Sequence, residues 1–213
     1  MQSRSQKSLW EKLARVNPLF YIASKFGKGI TEEQFEETAE EDFKKHIHED
    51  DLIKKDGDYI WLDLGCGIGR ITKWMAYRCK KVYGIDISEE MIRLANLRKE
   101  KFVKQNIVYY ETDGSTIPYP ENFFDFVFSY LVFQHMKSWF MIKDNFDGVY
   151  KALKPGGIFK VLLRKKEEPL KWWNGGFAVT KQIYEAVCQL VGFKIIKSTY
   201  DSENYTYWLW LTK

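Results

Sequence analysis

At 213 residues the chain fits one domain, since domains commonly run to about 100–200 residues, and its cysteines, Cys66, Cys79 and Cys188, are odd in number and form no C-x-x-C pair. That spacing argues against a disulfide framework and a zinc site; with no run of about 18 apolar residues and no signal-like opening, a cytoplasmic protein without membrane insertion is expected. The net charge of +4 conceals an asymmetry, because residues 31–51 hold ten acids against Lys44 and Lys45, a local −8 that leaves the rest at +12, yet the basic residues are too dispersed to mark a nucleic-acid stripe.

Two short helices are expected to open the chain, because Ser8-x-x-Glu11 and Thr31-x-x-Gln34 have the capping-box pattern that satisfies orphan helix amides. The first, with Leu9, Leu13 and Val16 on one side, should stop near Asn17-Pro18. The second carries Phe35, Ala39 and Phe43 at four-residue spacing, one apolar stripe on an acidic helix that faces water and rests on a basic body. His46 and His48 at its end are read as solvated. Residues 1–58 make a helical cap segment, and 59–213 the core of a single domain.

From residue 59, short β-rich runs alternate with helical stretches. Tyr59 to Leu64, Val82 to Asp86, Ile107 to Glu111, Phe124 to Ser129 and Ile158 to Arg164 read as strands, apolar on both faces as in a parallel sheet covered on two sides. Helices are expected over Arg70 to Tyr77, over Glu89 to Lys101 with Ser88 as N-cap, and along the stripe Trp139, Ile142, Phe146, Val149, Tyr150 and Leu153, stopped by Lys154-Pro155-Gly156-Gly157. A helix over Thr180 to Val191, stopped by Gly192, leads to strands Phe193 to Tyr200 and Tyr205 to Thr212. The link between them, Asp201-Ser202-Glu203-Asn204, is short enough only for an antiparallel pair.

The stretch WLDLGCGIGR places Gly65, Gly67 and Gly69 between the first strand and the first core helix, a cradle in which bare backbone lets a nucleotide-type ligand approach. The dinucleotide fingerprint needs a third glycine where Arg70 stands. Asp86 ends the second strand, 17 residues beyond Gly69, where a carboxylate can accept from both hydroxyls of a ribose. Asp113, just beyond the third strand, is placed to accept from an adenine amino group, and Asp63 adds negative charge beside the loop. Cys66 reads as a small loop residue, not a nucleophile. An adenosine, no phosphate to clamp and some positive charge together describe S-adenosylmethionine.

LDLGCGIG, VYGIDIS, TDGSTIPYPENFFDFVFSYLVFQHM and LKPGG, in that order, resemble the successive motifs of the class I S-adenosylmethionine-dependent methyltransferases, in particular their metal-independent small-substrate group. The likeness covers about residues 59–165, and the ending GFKII…YTYWLWL is similar to the family's last two strands. The resemblance implies an α/β, Rossmann-like three-layer sandwich with a seven-stranded sheet of order 3-2-1-4-5-7-6, strand 7 antiparallel, and S-adenosylhomocysteine as product. Carried over residue by residue, Asp63, Gly65, Cys66, Gly67 and Gly69 form the loop, Asp86 and Ile87 flank ribose and adenine, Asp113 and Gly114 meet adenine, and Ser129 lies near the methionine portion. The opening LWEKLARVNPLFYI…TEEQFEE is similar to that of some bacterial members, where it caps the cofactor.

The acceptor is expected beyond the carboxyl ends of the strands, at the switch point between strands 1 and 4, where Ser129 to Met136 sits. His135 is the candidate base if the acceptor is an alcohol or phenol; an amine or carboxylate needs none. Tyr21, Tyr130, Gln134 and Trp172 are candidate acceptor contacts, and Trp172 and Trp173 can stack on a ring or pack internally. After strand 4, SYLV stands where base-amino methyltransferases carry D/N-P-P-Y/F/W and cytosine-C5 enzymes a Pro-Cys, which argues against DNA; clustered Asp/Asn ligands for magnesium are lacking too. The expected reaction is metal-free methyl transfer to O or N of a small-molecule or glycan-type acceptor. Protein or tRNA methylation, and cofactor binding without catalysis, are the alternatives, and the oligomeric state is left open.

Overall fold

A computed structural model describes residues 2–165 and 176–213, with side chains from residue 6 onward. The chain divides into two compact units, Met1–Asp113 and Gly114–Lys213.

In the first unit, α1 (Gln2–Val16) and α2 (Pro18–Ile22) lead through a 3-10 stretch (Ser24–Gly29) to α3 (Glu32–Phe43) and a π-helical turn (Lys44–His48). Asn17 stops α1 and starts α2: its side chain accepts the Phe20 N–H at 3.1 Å, and Pro18 follows at the position where a missing N–H costs nothing. Ser8 caps nothing, against expectation. With no proline or glycine before it, α1 begins six residues earlier; Gln6 and Ala14 are buried and Trp10 packs half-buried on the apolar cluster, while Leu9 and Leu13 are half-buried and Val16 is 64% exposed. The second box is present: Gln34 N–H donates to Thr31 Oγ1 at 3.2 Å and Thr31 N–H to Gln34 Oε1 at 3.0 Å. The stripe Phe35, Ala39, Phe43 is buried, and His46 continues it three residues on. His46 is therefore buried, not solvated, beside Asp42.

β1 (Gly57–Leu64), β2 (Cys79–Asp86) and β3 (Ile107–Glu111) pair in parallel, with Val82 opposite Trp61 on one side and Ile107 on the other. Between them lie α4 (Thr72–Met75), shorter than expected because turns flank it, and α5 (Glu89–Lys99), capped by the Ser88 hydroxyl, which accepts the Met91 N–H at 3.1 Å.

The second unit holds β4 (Phe124–Ser129), a 3-10 turn (Phe133–His135), α6 (Trp139–Ala152), β5 (Leu153–Arg164), α7 (Lys181–Val191), β6 (Lys194–Asp201) and β7 (Thr206–Thr212). Pro155-Gly156-Gly157 does more than stop a helix. The β4 ladder pairs Phe124 with Leu153 and then Phe126 with Ile158, so these residues form a bulge in β5, with Gly156 at φ +73°, where a proline without an N–H is tolerated. β7 runs antiparallel to both β5 and β6, and the Asp201 carboxylate closes the hairpin by accepting the Glu203 and Asn204 amides at 3.0 and 3.1 Å. The strands form one seven-stranded sheet of order β3-β2-β1-β4-β5-β7-β6, the Rossmann-like arrangement expected. Among the described residues no helix is long and apolar enough to cross a membrane.

Candidate cofactor and acceptor residues

β1 delivers the chain into a loop in which Gly65, Gly67 and Gly69 all have positive φ, at +79°, +53° and +82°, a region that disfavours side chains. The loop is built from its own hydrogen bonds. The Gly65 and Cys66 amides both donate to Ile85 O, at 2.8 and 3.0 Å, Gly69 N–H donates to Cys66 O at 3.0 Å, and Gly67 N–H donates to Asp86 Oδ2 at 2.9 Å. A loop whose amides are engaged in this way offers a shaped surface rather than an anion clamp, which suits an adenosine ligand without phosphates better than a pyrophosphate.

Asp86, at the end of β2, accepts Gly67 N–H on one oxygen and Ser88 N–H on the other, at 2.9 and 3.0 Å. Burial pushes its carboxyl above the usual range, the Ser88, Gly67 and Ile87 amides oppose that, and Glu11 of α1 adds repulsion. A carboxylate offers about four acceptor sites, more than the three amides fill. A ribose hydroxyl donating there would offset the desolvation, so the residues fit the ribose of an S-adenosyl group. Ile87 is half-buried. Thr112 N–H donates to Asp86 O at 2.9 Å, which brings exposed Asp113 beside the same strand end. Asp63 turns inward: Thr72 Oγ1 donates to its Oδ2 at 2.5 Å, and burial pushes its carboxyl up to about 6 against the pull of Thr72 and Arg70.

The N-terminal helices reach this loop. A β-carbon on Gly67 would meet Ile22 Cδ1 at 2.9 Å, and Ile68 of the loop joins Ala14, Ala23, Ile30, Phe35 and Met91 in one apolar cluster. Lys7 pairs with Glu111 at the end of β3. Tyr21 is half-buried and edge-on to Phe20, 5.0 Å between ring centres. Arg70, the residue that broke the dinucleotide fingerprint, is 6% exposed. Its guanidinium donates to Asp42 Oδ2 at 2.6 Å and Thr38 Oγ1 at 3.3 Å. Lys73 holds Glu36, and Arg98 holds Glu32 and Glu36. Three acids of the helix, Glu32, Glu36 and Asp42, thus pair with Arg70, Lys73 and Arg98, a role that composition alone did not reveal.

In the second unit, Gly114 has φ +82°, and its carbonyl accepts from Asn145 Nδ2 at 2.8 Å. Ser129 ends β4 fully buried. Tyr130 lies parallel to Trp208, 5.6 Å between ring centres and 10° apart. Leu131 sits at φ +61°, backbone strain of the kind that gathers at functional turns and that no sequence signal marked. In the 3-10 turn that follows, His135 Nε2 lies 3.2 Å from Gln134 Nε2; burial, and then Arg164, bring its imidazole down to about 4. The structure thus gathers Asp63, Gly65, Cys66, Gly67, Gly69, Asp86 and Ile87, with Asp113 alongside, in the first unit, and Ser129, Tyr130, Gln134 and His135 in the second. Trp172 and its neighbour Trp173 lie outside the described residues.

Residues 62–161 match the family model described as "Methyltransferase domain". Phosphoethanolamine N-methyltransferase 2 of Caenorhabditis elegans is 36% identical over 117 residues, covering 53% of this chain and 26% of that protein. Demethylmenaquinone methyltransferase of Tropheryma whipplei is 33% identical over 96 residues, 45% of this chain and 38% of that protein. The match therefore spans well under half of either relative. In fold, the chain is similar to magnesium protoporphyrin IX methyltransferase of Synechocystis, solved with bound SAH, at TM-score 0.70 and 16% identity over 97% of this chain and 99% of that one. Motif order, strand order and family match agree: residues 62–161 are similar to the methyltransferase domain, and the sheet has the strand order of the Rossmann-like methyltransferase fold.

Proposed function

We propose that this chain transfers the methyl group of S-adenosylmethionine to an O or N atom of a small molecule. The observation that carries the reading is the half-buried Asp86 carboxylate, tied by the Gly67 and Ser88 amides directly to the glycine loop. Bound there, S-adenosylmethionine supplies a methyl group activated by a sulfonium. In this reading Asp86 holds the ribose hydroxyls, Ile87 and Asp113 border the adenine, and α2 shields the loop from water. Aligning two reactants in this way is worth roughly 7–11 kcal/mol of a displacement barrier.

His135 is neutral at pH 7 and so is ready to accept a proton or a hydrogen bond from a hydroxyl acceptor, but a group with a pKa near 4 is a weak base. An amine acceptor asks only for positioning. The names of the relatives, which specify phosphoethanolamine and demethylmenaquinone, support the small-molecule side of the expected acceptor range. The test incubates the chain with S-adenosylmethionine carrying a labelled methyl group and panels of small amines, phenols, lipid head-group analogues and sugars. Label appearing in a small molecule supports the reading. Label appearing only in protein or RNA contradicts it.

A further inference from the structure

Two glycines of the first unit share one neighbour. Gly84 of β2 is the ladder partner of Tyr109 on β3, and the tyrosine ring fills the room a side chain there would need. A β-carbon on Gly84 would come within 2.7 and 2.8 Å of ring atoms Cδ1 and Cε1, and 3.0 Å of Cys66 Sγ in the loop. At the other end of the ring, a β-carbon on Gly69 would fall on the Tyr109 hydroxyl. Gly84 has no positive φ, so the ring and the Cys66 sulfur alone keep that position bare. Tyr109 is 6% exposed, and its buried hydroxyl, without a hydrogen bond of its own among the described residues, lies near Thr72, whose Oγ1 donates to Asp63.

We propose that Tyr109 is a positioning residue for the cofactor loop, a rigid wedge between β2 and the loop that sets the height of residues 66–69 above the sheet and so keeps Gly67 in register with Asp86. The proposal rests on the reading of this loop as the S-adenosylmethionine site. A loop with three glycines has much conformational freedom, and any of it that must be given up on binding weakens affinity. A tyrosine ring, stiff and with few rotamers, removes that freedom beforehand. Its effect belongs to binding, not to turnover of the bound complex.

The test titrates the full-length chain calorimetrically with S-adenosylhomocysteine and follows amide hydrogen exchange. Tyr109→Val is expected to bind about tenfold more weakly or worse, with faster exchange confined to residues 65–69 and β5–β7 unchanged. Gly84→Ala, which pushes the ring toward the loop, is expected to weaken binding similarly, and Gly84→Ala with Tyr109→Val to bind more tightly than Gly84→Ala alone, because the new methyl then meets no ring. Binding by Tyr109→Val within about twofold of wild type, or purely additive losses in the double variant, overturns the proposal. Loss of β1–β3 altogether in Tyr109→Val overturns it as well, since the ring would then be holding the unit rather than the loop. If Gly84→Ala does not fold, Tyr109→Val decides alone. If the wild-type chain binds no S-adenosylhomocysteine, the functional reading fails instead, and exchange at residues 65–69 in Tyr109→Val still decides whether the ring orders the loop.

Discussion

Burial acts in opposite directions on His135 and Asp63. The His135 imidazole, brought down to about 4 from 6.5, binds fewer protons in the folded than in the unfolded chain between those pH values, so its contribution to stability is lost as pH falls through that window. The unfolding free energy of His135→Gln minus that of wild type is expected to grow by up to about 3 kcal/mol between pH 7 and 4. A pH-independent difference in urea titrations would contradict it. Asp63, raised to about 6 from 3.8, holds its proton longer when folded, so stability is gained as pH falls through 6 toward 4. The same difference for Asp63→Asn is expected to shrink over that range, by about 3 kcal/mol at most; growth instead would show that Asp63 is stabilised as an anion.

At the scale of elements, the acidic helix α3 is a latch on the glycine loop. Arg70 is buried and its partner Asp42 half-buried, whereas Glu41 meets Lys25 in water. Removing one member of a buried pair leaves a charge without compensation, while an exposed pair is worth little. Asp42→Ala is therefore expected to cost about 2–3 kcal/mol and Glu41→Ala less than about 0.5 kcal/mol in chemical denaturation; equal costs would rule out the latch. The sequence shows the acids and shows Arg70 but not their pairing, because Arg70 meets residues 28 and 32 positions away. Caps were legible only where the whole signal was local. The Thr31 box is real, whereas the Ser8 box was overruled by helix-forming residues before it.

For the molecule as a whole, strand order was the most legible feature. Doubly apolar strands and a four-residue hairpin link allow few sheets, and the motif order singles out the one observed. The glycine loop was legible as a cradle, but the reason for its bareness was not. Gly67 faces Ile22 and Gly69 faces Tyr109, contacts that bring together residues some forty positions apart and leave no trace in local pattern. The measurement that bears most directly on the account is a calorimetric titration of wild type and Asp86→Ala with S-adenosylmethionine, with NAD in parallel. Saturable binding of S-adenosylmethionine and not NAD by wild type is predicted, weakened in Asp86→Ala by about 1.5–3 kcal/mol, the scale of a hydrogen bond to a charged group. Equal affinity in Asp86→Ala, or binding of NAD instead, would contradict the placement of the cofactor on this loop.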